Sequence, residues 1–347
     1  MATFKRQLAI AFGGQGGVFG TADPTIAALS GSIGLNDGIV RGDAASGLIG
    51  SGITHSFARR ENPGGFVPGS FTRLDGDFLE EEVTLTFAFP LAGTRVPASN
   101  PPVASDFSAL KGIEALLKSV GLEGAASVSN PDVGFKYAPV DAEPITAKLF
   151  DSGFAWVIRD ILGDISISMP PGEVAVATCT LSGIIDSGAL VAFPTVDFGV
   201  QSSVNAPAVV SVAPSWGISD EVRGWTELTI ALTNSLEEVP DSAQSTGVAT
   251  DQTGREITVN MTIRDTDTDV DFTRANLVGT TAPTADLKAL VGTPAAAGDP
   301  ATAYQIEVSN LRVLSNTPAV AGSQAASRVT ARATGTVGGS EFFIAFL

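Results

Sequence analysis

The single histidine, His55, is the one side chain here whose ordinary pKa lies near neutrality and suits general acid–base work. It follows Ile53 on a strand-like stretch, with no acid at a spacing that would orient an imidazole, and reads as a strand-face histidine. Asp265-Thr266-Asp267-Thr268-Asp269-Val270-Asp271 alternates its acids as the start of a calcium loop does. Its sixth position is Val270 where a tight turn needs Gly, and its twelfth is Asn276 where a bidentate Glu is needed. The run is better read as the end of a strand, with threonines on one face and carboxylates on the other. The acids Glu80-Glu81-Glu82 and Glu237-Glu238 read as solvated groups on loop edges. Nucleophile-elbow, Cys-x-x-Cys and His-Glu-x-x-His patterns are absent from the sequence. Gly13, Gly14, Gly16, Gly17 and Gly20 make the segment from Ala11 to Pro24 glycine-dense, but no Lys-Ser or Lys-Thr follows them to complete a phosphate cradle. That segment is expected to be a flexible N-terminal arm that orders against a neighbour. No catalytic, cofactor-binding or metal-ligating residue is assigned, and the chain is not expected to be an enzyme.

Composition points the same way. The 347 residues carry 20 Lys plus Arg against 37 Asp plus Glu, a formal charge of −17 that repels phosphate and argues against sequence-specific DNA binding. An acidic surface suits a passage through which DNA moves without sticking; it also serves solubility. Only 16% of residues are charged, and 38 Gly and 20 Pro favour short strands and turns over long surface helices. The class is mainly β. Cys179 has no second cysteine to pair with and reads as a packed small residue on a strand. The first ten residues hold Lys5 and Arg6 but reach Gly13 after too short an apolar run for a signal peptide. No stretch of about 18 apolar residues predicts a membrane helix. The expectation is a chain made in a cytoplasm and soluble until it meets a partner.

The elements that would position these residues centre on Trp225 to Asp265. Trp225–Thr233 and Glu256–Arg264 alternate as half-buried strands, and Asn234 to Arg255 between them reads as a loop too polar to enter a core. The same plan occurs earlier, where Gly52–Ala58 leads into a polar excursion from Arg59 to Asp77 and Glu81–Phe89 returns. Shifting the chain by 174 residues lays Val83, Leu85 and Phe87 on Ile257, Val259 and Met261, and residues 113–117 on 287–291. An internal duplication is inferred. Asp106 to Val120 predicts an amphipathic helix stopped by Gly121, and Thr284 to Gly292 a shorter counterpart. Strands are expected over Ile145–Phe150, Ala155–Ile167 and Val174–Ile184. In the second half they are expected over Ala303–Val308, Leu311–Leu314 and Ser327–Gly335, with Gly183 and Gly335 closing comparable strands. Asp186 to Ala208 is the expected linker. The domains are then residues 1–190 and 191–347. The apolar end Phe342–Leu347 must pack as a last strand, at home or on a neighbour.

In pattern and order the chain resembles the tail tube proteins (major tail proteins) of long, non-contractile-tailed bacteriophages. The likeness rests on the glycine-rich arm leading to Gly20-Thr21-Ala22-Asp23-Pro24, the long hairpins, the helix, and Ile145–Gly153 followed by Gly163-Asp164-Ile165-Ser166-Ile167. It extends to Ala175–Gly183 after a Pro-Gly turn, and to Asn234–Asp241 leading into Gly247 and Arg255-Glu256-Ile257-Thr258. The likeness is diffuse and covers most of the chain. It implies two tandem tail-tube-like β-sandwich or barrel domains, each with one flanking helix and a long hairpin arm. These would assemble by edge pairing into stacked rings around a channel for DNA. Six copies of the fold per ring would need three such chains. Implied partners are further copies, the tape measure, tail terminator and baseplate proteins, and DNA in non-specific passage; the implied place is the virion tail, assembled in the host cytoplasm. The alternative is a β-sandwich binding module such as a capsid decoration, fibre or adhesin protein. A glycan hydrolase would need two converging acids in a cleft with exposed aromatics, and the three Trp and two Tyr are scattered.

Overall fold

The computed structural model describes residues 8–15, 19–29, 32–34, 40–41, 51–61, 78–91, 111–127, 134–197, 215–217, 225–240, 248–264, 285–291, 304–335 and 341–346. Along the first half run β1 (Leu8–Gly14), a single helical turn α1 (Pro24–Ala27), β2 (Ser32–Gly34), β3 (Val40–Arg41), β4 (Ser51–Glu61) and β5 (Phe78–Pro90). The helix α2 (Lys111–Ser119) follows, then β6 (Leu122–Ser127), β7 (Gly134–Pro139), β8 (Ile145–Asp151), β9 (Phe154–Ser168) and β10 (Val176–Leu190). The second half holds β11 (Thr195–Asp197), β12 (Ser215–Gly217), β13 (Trp225–Pro240), β14 (Val248–Arg264), β15 (Ala285–Val291), β16 (Tyr304–Ala321), β17 (Gln324–Ala333) and β18 (Phe342–Phe346). The protein is mainly β, and among the described residues one 16-stranded antiparallel sheet, not closed, spans both halves.

That sheet contains the same six-strand order twice. In the first half β1, β8, β9, β10, β5 and β4 pair in succession; in the second, β12, β15, β16, β17, β14 and β13 do. The registers correspond as well. Leu181 lies between Leu85 and Gly163, and Ala331 lies between Val259 and Val313. Even an irregularity recurs. The ladder of β8 and β9 jumps from Ile145↔Ile161 to Ala147↔Ile158, and that of β15 and β16 jumps from Ala285↔Leu311 to Leu287↔Val308. At the jump sit Asp160 (φ 56°) and Asn310 (φ 55°), two of the few non-glycine residues with left-handed backbone. Asp and Asn tolerate that region best, and a bulge at one place in two copies is a built feature.

The halves differ in how the strand beside β9 or β16 finishes. β10 follows β9 as far as Leu190↔Phe154, whereas β17 stops at Ala333 and β18 takes its place beside β16. The halves are joined by paired strands at three places among the described residues, β9 with β13, β18 with β7 and, in a separate parallel pair, β11 with β2. Their apolar side chains form one continuous core running from Leu8, Ile10 and Phe12 through Val83, Leu85 and Phe87 to Ile257, Val259, Met261 and Ile344.

Several expectations are corrected. The helix expected over Thr284–Gly292 is corrected: Ala285–Val291 form β15, which buries Leu287, Ala289 and Val291 with a period of two and pairs with β12 and β16. Two hydrogen-bonded neighbours outweigh the helical preference of Leu, Lys and Ala. In the first half α2 buries Ala115, Leu116 and Leu117, with Val120 just beyond it, and ends where Gly121 takes φ 79° with the Val140 carbonyl too close for a Cβ; positions 106–110 lie outside the described residues. The two short strands expected over 303–314 are one strand bent at the Asn310 bulge. Gly183 does not end β10, and Asp186–Leu190 belong to that strand rather than to a linker. The polar stretch from Asn234 to Arg255 is largely strand, extending the hairpin of β13 and β14 to Pro240↔Val248. The apolar C-terminal strand packs at home, between β16 and β7.

Candidate functional site

Among the described residues, those first considered for chemistry do not gather into one centre. His55, on β4, lies with its Nε2 4.0 Å from Asp151 Oδ2, and the rings of Phe57 and Trp156 pack beside it at 4.9 and 6.0 Å. Sequence spacing could not reveal Asp151, since the fold brings it from the end of β8. Glu80 and Glu81 lie within β5, not on a loop edge, in register with positions 60 and 59 of β4. Cys179 is buried against the core, and burial pushes its thiol pKa up. The run Asp265–Asp271 lies outside the described residues. Among the described residues no group of three or more His, Cys, Asp or Glu is placed to hold a metal.

Two polar clusters that sequence reasoning missed, built around buried residues, tie distant parts of the chain together instead. The first is at the β9 bulge. Asp160 pairs with Arg159, which also lies 3.6 Å from Asp186, and accepts hydrogen bonds from Gln15 Nε2 (2.7 Å) and the Gly20 amide (2.9 Å). Gln15 in turn accepts from the Asp160 amide at 3.0 Å and the Thr146 hydroxyl at 3.2 Å. Lys148, buried so that its pKa is pushed down, donates to the carbonyls of Ala27 and Leu29 at 2.6 and 2.8 Å. The glycine-rich arm is therefore corrected too: its described residues form β1 and dock on their own chain. Left-handed backbone at Asp160 turns its carboxylate to meet them, which alternation along a strand does not signal.

The second cluster closes the seam between the halves. The Asn234 amide donates to Asp164 Oδ1 (2.8 Å), and its Nδ2 donates to the carbonyls of Gly163 (2.7 Å) and Val120 (3.1 Å). Gln252 donates to Asn234 Oδ1 and accepts from the Ala142 amide, both at 2.7 Å. Arg255 donates to the Val140 carbonyl at 2.7 Å and pairs with Glu341 at 3.3 Å. These polar residues of the supposed loop satisfy carbonyls and amides that the first half leaves at its border, as buried polar groups must. No family model matches the chain, and no curated protein does.

Desolvation, partly offset by the Asn234 amide, raises the Asp164 pKa. A raised carboxyl contributes stability that is complete below its unfolded pKa and is lost as pH rises through the folded one. Asp164→Asn keeps the acceptor for Asn234 without the charge. It is expected to be more stable than the parent at neutral pH and equal to it in acid. Denaturant unfolding across the acidic range checks this; a constant difference at every pH would refute the assignment.

The other feature of the site is an edge. Beyond its bulge β16 pairs with β17 on one side, while the matching part of β9 pairs with β10 and, on its outer side, with β13. Val320 there is 73% exposed, and Phe57 on β4 is 43% exposed. Among the described residues β4 pairs with β5 alone.

Proposed function

We propose that this chain is a structural subunit that polymerises with copies of itself, as the tube of a phage tail does, into stacked rings around a channel for DNA. The observation that carries the reading is the repeated six-strand order, whose two copies are already joined edge to edge within one chain while an equivalent pair of edges is unpaired among the described residues. Each half, residues 1–190 and 191–347, acts as one tail-tube-like β domain. The hairpins β4–β5 and β13–β14 are its arms. Two domains per chain favour three chains per ring over six. The charge of −17 suits a wall past which DNA slides without binding, and no catalytic step is involved. The tape measure, tail terminator and baseplate proteins are the expected partners, in a virion tail assembled in the host cytoplasm.

Negative-stain electron microscopy of the purified chain tests this. Hollow filaments or rings with the mass of three chains are expected. A compact single particle at high concentration would overturn the reading in favour of a monomeric binding module.

A further inference from the structure

The internal repeat allows one junction inside the chain to be projected outward. Within the chain, β9 and β13 pair as Ile165↔Leu232, Ser166↔Ala231, Ile167↔Ile230 and Ser168↔Thr229. The ladder ends where the Met169 amide donates to the Leu228 carbonyl at 2.8 Å and Trp225 Nε1 donates to the Met169 carbonyl at 3.2 Å. This junction joins the third strand of the first six-strand order to the sixth strand of the second. The third strand of the second order is β16, and the sixth strand of the first is β4.

We propose that β16 of one molecule is completed by β4 of a second copy of this chain, antiparallel and in the register that β9 and β13 use. The assignment deepens the self-assembly reading above and rests on it. Counterparts follow from the ladders the two orders share. Phe57 faces Val83 as Leu232 faces Ile257, and Ser56 faces Thr84 as Ala231 faces Thr258. Asn316 faces Val329 as Ile165 faces Cys179, and Thr317 faces Arg328 as Ser166 faces Thr178. Between copies the pairs are therefore Asn316 with Phe57, Thr317 with Ser56, and Ala319 with Thr54.

Burial distinguishes the covered junction from the open one. Leu232 is 1% exposed and its counterpart Phe57 is 43% exposed; Met169 is fully buried and its counterpart Val320 is 73% exposed. In each pair the exposed member is apolar and lies where the other half of the chain covers its twin. Asn316 and Pro318 stand where β9 has Ile165 and Ile167, and Pro318 has no amide to offer a neighbouring strand. Proline and polar substitutions of this kind blunt an edge against indiscriminate pairing. The junction between copies is thus weaker than its twin within the chain. Each molecule offers one edge of each kind, so the contact is head to tail and propagates into a closed ring or a helix.

The alternation set by the Met169 bond makes Ser166 and Ala231 a non-hydrogen-bonded pair, the kind whose side chains come closest. Thr317 and Ser56, both exposed, take that place between copies and are suitable for a disulfide. Ser56→Cys and Thr317→Cys variants of the full chain, mixed and oxidised, are expected to give a linked dimer and nothing larger. The double variant should give a ladder of linked multimers. Cys179 is buried and does not interfere. Assembly seen by microscopy without linkage would overturn this edge assignment and leave the tube reading standing. Monomers without linkage would overturn both. Equal linkage between Ser56→Cys and a Leu290→Cys control on β15 would show that the pairing is not specific, and would overturn the assignment as well.

Discussion

Asp160→Ala is expected to lower the unfolding free energy by about 3–5 kcal/mol, the range for removing one partner of a buried ion pair. Arg159 and Asp160 are both buried, and Asp186, at 3.6 Å and more exposed, replaces the lost counter-charge only in part. The substitution also removes the acceptor for Gln15 and Gly20, which fastens the N-terminal segment to β9. Alanine at φ 56° adds about 1 kcal/mol of backbone strain. The twin position separates these effects. Asn310 has the same backbone without the ion pair, so Asn310→Ala should lose only the strain and its local bonds. Denaturant unfolding of both variants checks the comparison, and equal losses would show that the ion pair contributes nothing.

Gly163→Ala is the second large effect, expected to cost about 3 kcal/mol or more, at the upper end for an overpacked core. A Cβ there would collide with the Thr180 carbonyl oxygen and lie 2.8 Å from Leu181 Cα and 2.9 Å from Leu181 Cδ2. Two of these three atoms belong to the backbone of β10, which is held in register on both sides and cannot swing away. The Gly163 carbonyl also receives Asn234 from the second half, so any shift of β9 pulls on the seam. In the other copy Val313 occupies this place opposite Ala331, a large residue facing a small one where the first half has a small one facing Leu181. Leu181→Ala should therefore rescue Gly163→Ala only in part, because the contact with the backbone remains. Full rescue, read from thermal unfolding, would mean that side-chain volume alone sets the cost.

Much of the first half was legible because its strands alternate strongly. Ile145–Phe150 and Ala155–Ile167 lie nearly at the true bounds of β8 and β9, while Val174–Ile184 gives only the beginning of β10. The match of Val83, Leu85 and Phe87 with Ile257, Val259 and Met261 located twin strands whose inward faces are all buried. The failures have a common cause. Residues 285–291 carry helix-favouring side chains whose fate is decided by the strands on either side. Asn234, Gln252 and Arg255 looked too polar for ordered strand because their partners Val120, Gly163, Ala142 and Val140 lie far away in the sequence.

From its order of residues alone this chain declares a mainly β class, an acidic surface, a duplicated hairpin and the inward face of most strands. Those properties depend on composition and on a two-residue period, which each segment carries by itself. Tertiary structure alone decided which edges meet. The seams of β9 with β13 and of β18 with β7 arise from backbone hydrogen bonds between segments distant in the chain. A strand shows the same donors and acceptors on both of its edges whatever its side chains, so its neighbours are chosen only when the whole sheet packs.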